Sequence, residues 1–142
     1  MKTRLLFLCT GNSCRSQMAE GWTRQLRADE VDVWSAGIEA HGLNKRAVAV
    51  MAEAGVDISA HRSQCLQQMG DQRFDVVVTV CANAAESCPL FPGLARIFHQ
   101  PFDDPPLLAA TAATEEQALA PYRRVRDEIR AFVETLPESV AL

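Results

Sequence analysis

Four short, almost unbroken apolar runs constrain the fold more than any other feature: "RLLFLC" (Arg4 to Cys9), "VDVW" (Val31 to Trp34), "FDVVVTV" (Phe74 to Val80) and "ARIFH" (Ala95 to His99). Strands buried on both faces read this way, because neither face needs the polar alternation of a half-wet strand. Segments with helical spacing separate the runs. Met18, Ala19, Trp22 and Leu26 form one stripe, with Glu20, Arg24 and Arg27 opposite. A second helix opens on Asn44 as N-cap, continues through Val48, Met51 and Ala52, and stops at Gly55. The last carries Tyr122, Val125, Ile129, Phe132, Val133 and Leu136 before Pro137 closes it. Thr114 and Gln117 read as its capping box, and Pro121 as a kink or the true start. This alternation predicts an α/β fold with three layers, a four-stranded parallel sheet flanked by helices, whose ligands sit at the carboxyl ends of the strands.

At 142 residues and 48% hydrophobic, the chain is the right size for one core, so a single domain over residues 1–142 is expected. The longest irregular stretch runs from "CPLFPG" to "HQPFDDPPLLAATAA", interrupted only by the fourth strand, and loops that long tend to be functional or mobile. A net charge of −4 lacks the dense basic surface that nucleic acid requires. No apolar run approaches the roughly 20 residues that span a bilayer, and "MKTRLLFLCTGNS" turns polar too early for a secretory signal. A cytoplasmic monomer without membrane contact is the expectation. Its five cysteines, Cys9, Cys14, Cys65, Cys81 and Cys88, should then stay thiols unless they do redox or metal chemistry.

The stretch "CTGNSCRS" lies between the first strand and the first helix, where unpaired amides and the positive end of the helix dipole favour an anion. Thr10, Gly11, Asn12, Ser13 and Cys14 supply the loop amides, and Arg15 adds a planar fork for two oxygens of a tetrahedral ligand. Gly11 permits the curl, while Asn12 and Ser13 tolerate unusual dihedrals. Cys9, at the centre of this positive environment, is expected to be a thiolate, with Ser16 donating a hydrogen bond to it. The Cys14 side chain should point away and pack.

The loop resembles that of the low-molecular-weight protein tyrosine phosphatases. "CTGNSCRSQMAEGW" followed by "SAGIEAHG" more closely resembles the thioredoxin-coupled arsenate reductases built on the same fold. The likeness extends from Leu5 to Gly42, from "VVVTVC" to Pro89, and over "FDDP" and "RVRDEI". It implies that Asp104, directly before proline in "FDDPP", is the acid that protonates the leaving group. Asp103 beside it should raise its pKa by like-charge repulsion.

"VTVCANAAESCPLFP" separates reductase from phosphatase. If Cys81 to Cys88 is helical its ends lie about 10 Å apart, beyond the roughly 7 Å at which two cysteine α-carbons can be bridged. A bond between them therefore requires unwinding, which Asn83, Ser87 and Pro89 make easy. By resemblance the three redox cysteines are Cys9, Cys81 and Cys88, the substrate is arsenate, and the reductant is thioredoxin, with glutaredoxin or another thiol as alternatives. Two other readings stay open: a phosphatase working through a phosphocysteine at Cys9, and a non-enzymatic oxyanion or thiol sensor. Against the phosphatase, "DDPPLLAA" and "EAHGLNKR" lack the aromatic walls that the phosphatases place in those loops.

No cofactor is expected. Zinc sites space paired cysteines by two to four residues, unlike Cys81 and Cys88, and only His61, His99 and Cys65 could complete such a set. Cys65 and the histidines read as structural, with His41 bordering the pocket. Family members that bind potassium use an Asn, a Glu, a Ser and an Asp; Asn12, Glu20 and Ser35 match, but Gln64 stands for the Asp. A neutral amide is a poorer ligand for a hard cation, so little or no potassium effect is expected.

Overall fold

The computed structural model describes residues 2–81 and 94–141. The four apolar runs form strands β1 (Thr3–Cys9), β2 (Val31–Gly37), β3 (Val76–Thr79) and β4 (Arg96–His99). All pair in parallel, in the order β2-β1-β3-β4. The helices are α1 (Arg15–Leu26), α2 (Lys45–Glu53), α3 (Pro105–Ala109) and α4 (Glu115–Val133), and short 3-10 turns cover Leu66–Met69 and Glu138–Val140. The chain is therefore α/β with a four-stranded parallel sheet, as its apolar runs predict.

Burial explains why β1 and β3 read as continuous runs; β4, at the sheet edge, is only partly buried, with Ile97 51% exposed, against the expectation of cover on both faces. Leu5, Phe7, Val76, Val78 and Val80 face a core shared with Met18, Trp22, Met51, Tyr122 and Ile129, from α1, α2 and α4. Leu6, Leu8, Ala36 and Val77 face the other way, against Met69 and Phe74. Alternate residues of one strand thus fill two cores, each large side chain contributing about 1.5–3 kcal/mol on burial.

Asn44 caps α2, accepting from the amides of Arg46 and Ala47 at 2.9 and 3.0 Å. That helix ends at Ala54, and Gly55 follows in the left-handed region at φ 85°. Thr114 caps α4 through the Gln117 amide at 3.1 Å, but Gln117 returns its side chain to the Ala113 amide, so the reciprocal box is shifted by one residue. Pro121 lies inside α4 without ending it, and α4 stops at Val133 rather than running to Pro137. Leu136 is buried from outside the helix.

Two further differences bear on function. The second strand extends through Ser35, Ala36 and Gly37, past the expected end at Trp34. "PPLLA" is the helix α3, with Asp104 at its N-cap and Pro105 at the first position, where a missing amide costs nothing. The expected Cys81–Cys88 helix falls mostly outside the described residues. Among the described residues, no helix is long and apolar enough to cross a membrane.

Candidate active site

Cys9 ends β1, and the chain curls through residues 10–14 into α1. Every carbonyl from Cys9 to Ser13 is held by a donor outside the curl. The amides of Ile38, Glu39, His41 and Asn44 donate to the carbonyls of Cys9 (3.3 Å), Thr10 (3.1 Å), Gly11 (2.9 Å) and Ser13 (2.9 Å). Gln17 Nε2 takes the Asn12 carbonyl at 3.1 Å, and the Ser63 hydroxyl adds a second donor to Gly11. Because C=O and N–H point opposite ways across a trans peptide plane, carbonyls tied outward leave the following amides aimed inward. The Asn12 amide shows this, reaching Cys9 Sγ at 3.1 Å. Among the described residues no side chain caps the start of α1, so the interior of the curl is a concave set of donors at a helix N-terminus.

Asn12, not Gly11, adopts the left-handed backbone, at φ 47°. At position 11 an added Cβ would lie 2.2 Å from Nδ1 of the half-exposed His41 ring, which would have to swing aside. At Gly37 a Cβ would meet backbone, 2.6 Å from Glu39 O, 2.7 Å from Thr10 O and 2.8 Å from Asn12 N. His41 borders the loop as expected, its ring paired with Glu39 at 2.6 Å.

Cys9 and Ser16 are brought together, Sγ to Oγ 2.9 Å. Ser16 Oγ also accepts from Asn12 Nδ2 at 2.9 Å, which leaves its own hydrogen for the sulfur. Asn12 Nδ2 donates to Ser35 Oγ at 2.9 Å, and Ser35 donates to Glu20 Oε1 at 2.6 Å. Asn12 Oδ1 accepts from the Gln64 amide at 2.8 Å and from Gln17 Nε2 at 3.1 Å. Glu20 is thus buried and inward, not on the outer face that helical spacing suggested: it stands one turn beyond Ser16, facing β2, with Arg24 Nε at 2.9 Å. His61 Nδ1 donates to Gln17 Oε1 at 3.0 Å, and its Nε2 lies 3.9 Å from Glu20. Burial pushes the His61 pKa down against the pull of Glu20. Gln17 and His61 were missed because an amide on α1 and a histidine in the loop after α2, 44 positions apart, carry no motif.

The four potassium-site positions do not fit a cation here. Gln64 turns its amide nitrogen onto the Ser35 carbonyl at 3.0 Å, and the Glu20 and Asn12 oxygens nearby already accept from protein donors.

Arg15 is buried, Nη1 donating to the Phe102 carbonyl at 2.9 Å, with Nη2 3.7 Å from Asp104 Oδ1. Asp103 instead meets Arg124 at 2.9 Å. The like-charge repulsion expected between the two aspartates is therefore opposed by a guanidinium beside each. Cys14 points into the core, and burial raises its pKa so far that it stays a thiol. Cys65 caps the Leu66–Met69 turn. Cys81 is 1% exposed and follows Val80, whose amide bonds the Leu8 carbonyl, so Cys9 and Cys81 leave adjacent strands at the same edge. Cys88 lies outside the described residues.

The chain matches the family described as low molecular weight phosphotyrosine protein phosphatase over residues 4–141. An arsenate reductase of Halalkalibacterium halodurans is 50% identical over 138 residues, 97% of either chain. The solved structure of an arsenate reductase in the phosphate binding state superposes with a TM-score of 0.77 at 30% identity, covering 99% of this chain and 100% of that one. A thioredoxin-dependent arsenate reductase of Corynebacterium glutamicum shares the fold, with a TM-score of 0.69 at 22% identity over 98% of this chain and 62% of that one. Matched along nearly its whole length, the chain belongs to the low molecular weight phosphotyrosine protein phosphatase family.

Proposed function

We propose that this single-domain chain reduces arsenate to arsenite and is returned to its thiol form by thioredoxin or a similar dithiol. One observation carries the reading: the Cys9 sulfur sits under a curl whose carbonyls from Cys9 to Ser13 are tied outward, with a hydroxyl and an amide donating to it. Identity of 50% to an arsenate reductase supports the choice of oxyanion.

In the proposed sequence arsenate enters the curl, where the amides after Cys9 and the Arg15 guanidinium hold its oxygens. To do so Arg15 exchanges the Phe102 carbonyl for the ligand. Cys9 attacks arsenic, and Asp104, next to Arg15, protonates the oxygen that departs as water. Ser16 holds the sulfur before attack. Cys81 then attacks Cys9 Sγ; the S–As bond breaks with its electron pair going to arsenic, which leaves as arsenite. The two sulfurs supply the two electrons and become a Cys9–Cys81 disulfide. Cys88 attacks Cys81 and frees Cys9, and the resulting Cys81–Cys88 disulfide is reduced by the external dithiol.

The test is arsenite formation by the intact chain with thioredoxin, its reductase and a nicotinamide donor, followed by disulfide mapping. Cys88→Ser should accumulate a Cys9–Cys81 bond, and Cys81→Ser should stop before arsenite release. No arsenite from the wild type refutes the reading. The family match favours one second reading, hydrolysis through a phosphocysteine at Cys9; slow turnover of small aryl phosphates is expected in either case, and turnover of phosphotyrosine peptides without arsenate reduction would establish the second.

A further inference from the structure

The outer strap that turns the curl's carbonyls outward ends at Asn44, and Asn44 is itself held by α4. Its backbone amide donates to Ser13 O at 2.9 Å, its Oδ1 caps α2, and its Nδ2 donates to Tyr122 Oη at 3.2 Å. Tyr122 is 1% exposed, within the same core as Cys14. Burial pushes its phenol further up, so it stays neutral at physiological pH, and Cys14 and Arg46 border it. Nothing in the proposed chemistry uses this hydroxyl, yet the buried tyrosine gives its one polar atom to Asn44, which sets the Ser13–Cys14 peptide plane, and to Arg46 on α2.

We infer that Tyr122 is a positioning residue for the oxyanion loop: through Asn44 it holds the Ser13 carbonyl outward and so aims the Cys14 amide at the bound oxyanion. The other carbonyls of the curl are held by strap amides alone or by Gln17 and Ser63. Only the Ser13 end is anchored to α4, among the described residues. Three partners fix the Asn44 side chain, and loss of the tyrosine hydroxyl leaves it held by the two α2 cap bonds alone, without its tie to α4. The Ser13–Cys14 plane then rocks, and the loop must be reordered each time an anion binds.

The inference rests on the oxyanion reading of the Cys9 loop, and titration of the full chain with inorganic phosphate by calorimetry separates the two. If wild type binds no phosphate, the oxyanion reading itself fails. If wild type binds, Tyr122→Phe should weaken phosphate by about three- to tenfold, the range of one lost buried hydrogen bond. Asn44→Ser keeps a cap for α2 and the backbone amide but cannot reach Tyr122; it should weaken phosphate to a similar degree, and the double variant should be no weaker than either single one. Thr23→Val removes another buried hydroxyl, one that donates to the Ala19 carbonyl of its own helix, and should leave phosphate affinity unchanged. Equal affinity in wild type and Tyr122→Phe, or additive losses in the double variant, overturns the inference. Should Tyr122→Phe fail to fold, unchanged affinity in Asn44→Ser overturns it equally.

Discussion

Replacement of Asn12 by alanine is the sharpest perturbation of the network around Cys9. Asn12 is fully buried and makes four side-chain hydrogen bonds: to Ser16 and Ser35 at 2.9 Å each, and from the Gln64 amide at 2.8 Å and Gln17 at 3.1 Å. Each such bond contributes about 1 kcal/mol net. The φ of 47° adds roughly 1 kcal/mol for alanine, which lacks asparagine's ease in the left-handed region. A loss of about 4–5 kcal/mol follows, a large share of the 5–15 kcal/mol typical of a domain. With a urea m-value of about 2 kcal/mol/M, the unfolding midpoint should fall by about 2 M.

The same substitution should be felt at the sulfur. Without Asn12 Nδ2 the Ser16 hydroxyl is no longer obliged to point its hydrogen at Cys9, and alkylation of Cys9 by iodoacetamide at fixed pH should change by about tenfold. A variant within about 1.5 kcal/mol of wild type, or one with an unaltered alkylation rate, refutes the argument that this network orients the nucleophile.

Gly37→Ala forces a Cβ against three backbone atoms of the curl and its strap; stability should fall by about 1–3 kcal/mol in a urea melt and phosphate affinity should drop sharply. His61→Gln keeps a donor to Gln17 and removes a titrating ring. Because burial holds the folded pKa of His61 below its ordinary 6.5, the unfolded chain binds the proton more readily. Stability from the neutral ring is thus complete above that ordinary value and is lost as pH falls through the folded one. The advantage of wild type over His61→Gln in urea melts should therefore shrink as pH falls from about 7 to about 5, and a constant difference would contradict it. Initial rates of arsenate reduction in sodium and potassium chloride at equal ionic strength should coincide, since Gln64 presents a donor to Ser35 O; several-fold activation by potassium would show the site to be open.

β1 and β3 were legible because burial on both faces leaves a simple signature, whereas β4 is half exposed and was read from its apolar residues alone. β2 was underestimated at Ser35 to Gly37 because a polar and two small residues end the apolar run, although all three are buried. The hydroxyl there is satisfied by Asn12 and Glu20, partners distant in sequence. The same distance hid Glu20, which spacing alone assigns to solvent. α3 was missed because "DDPP" reads as a turn until an aspartate N-cap with proline at the first helical position is allowed.

The curl shows where sequence reasoning stops and why. Its residue types announce an anion, since glycine, small polar residues and arginine after a strand leave few alternatives. Which way the amides point is set elsewhere, by the backbone N–H groups of Ile38, Glu39, His41 and Asn44. Amide donors carry no side-chain signature, and any residue but proline supplies one. What the strap does require is room for two backbones to touch, and that requirement surfaces as Gly37, with Thr10 O and Asn12 N both inside 3 Å of its absent Cβ. A glycine closing a strand beside a nucleophile loop is therefore informative in a way its own dihedral is not: its φ is unexceptional, and only the approach of a second segment explains it. In the proposed reading, the orientation of the donors toward a tetrahedral anion depends on that approach as well as on Arg15.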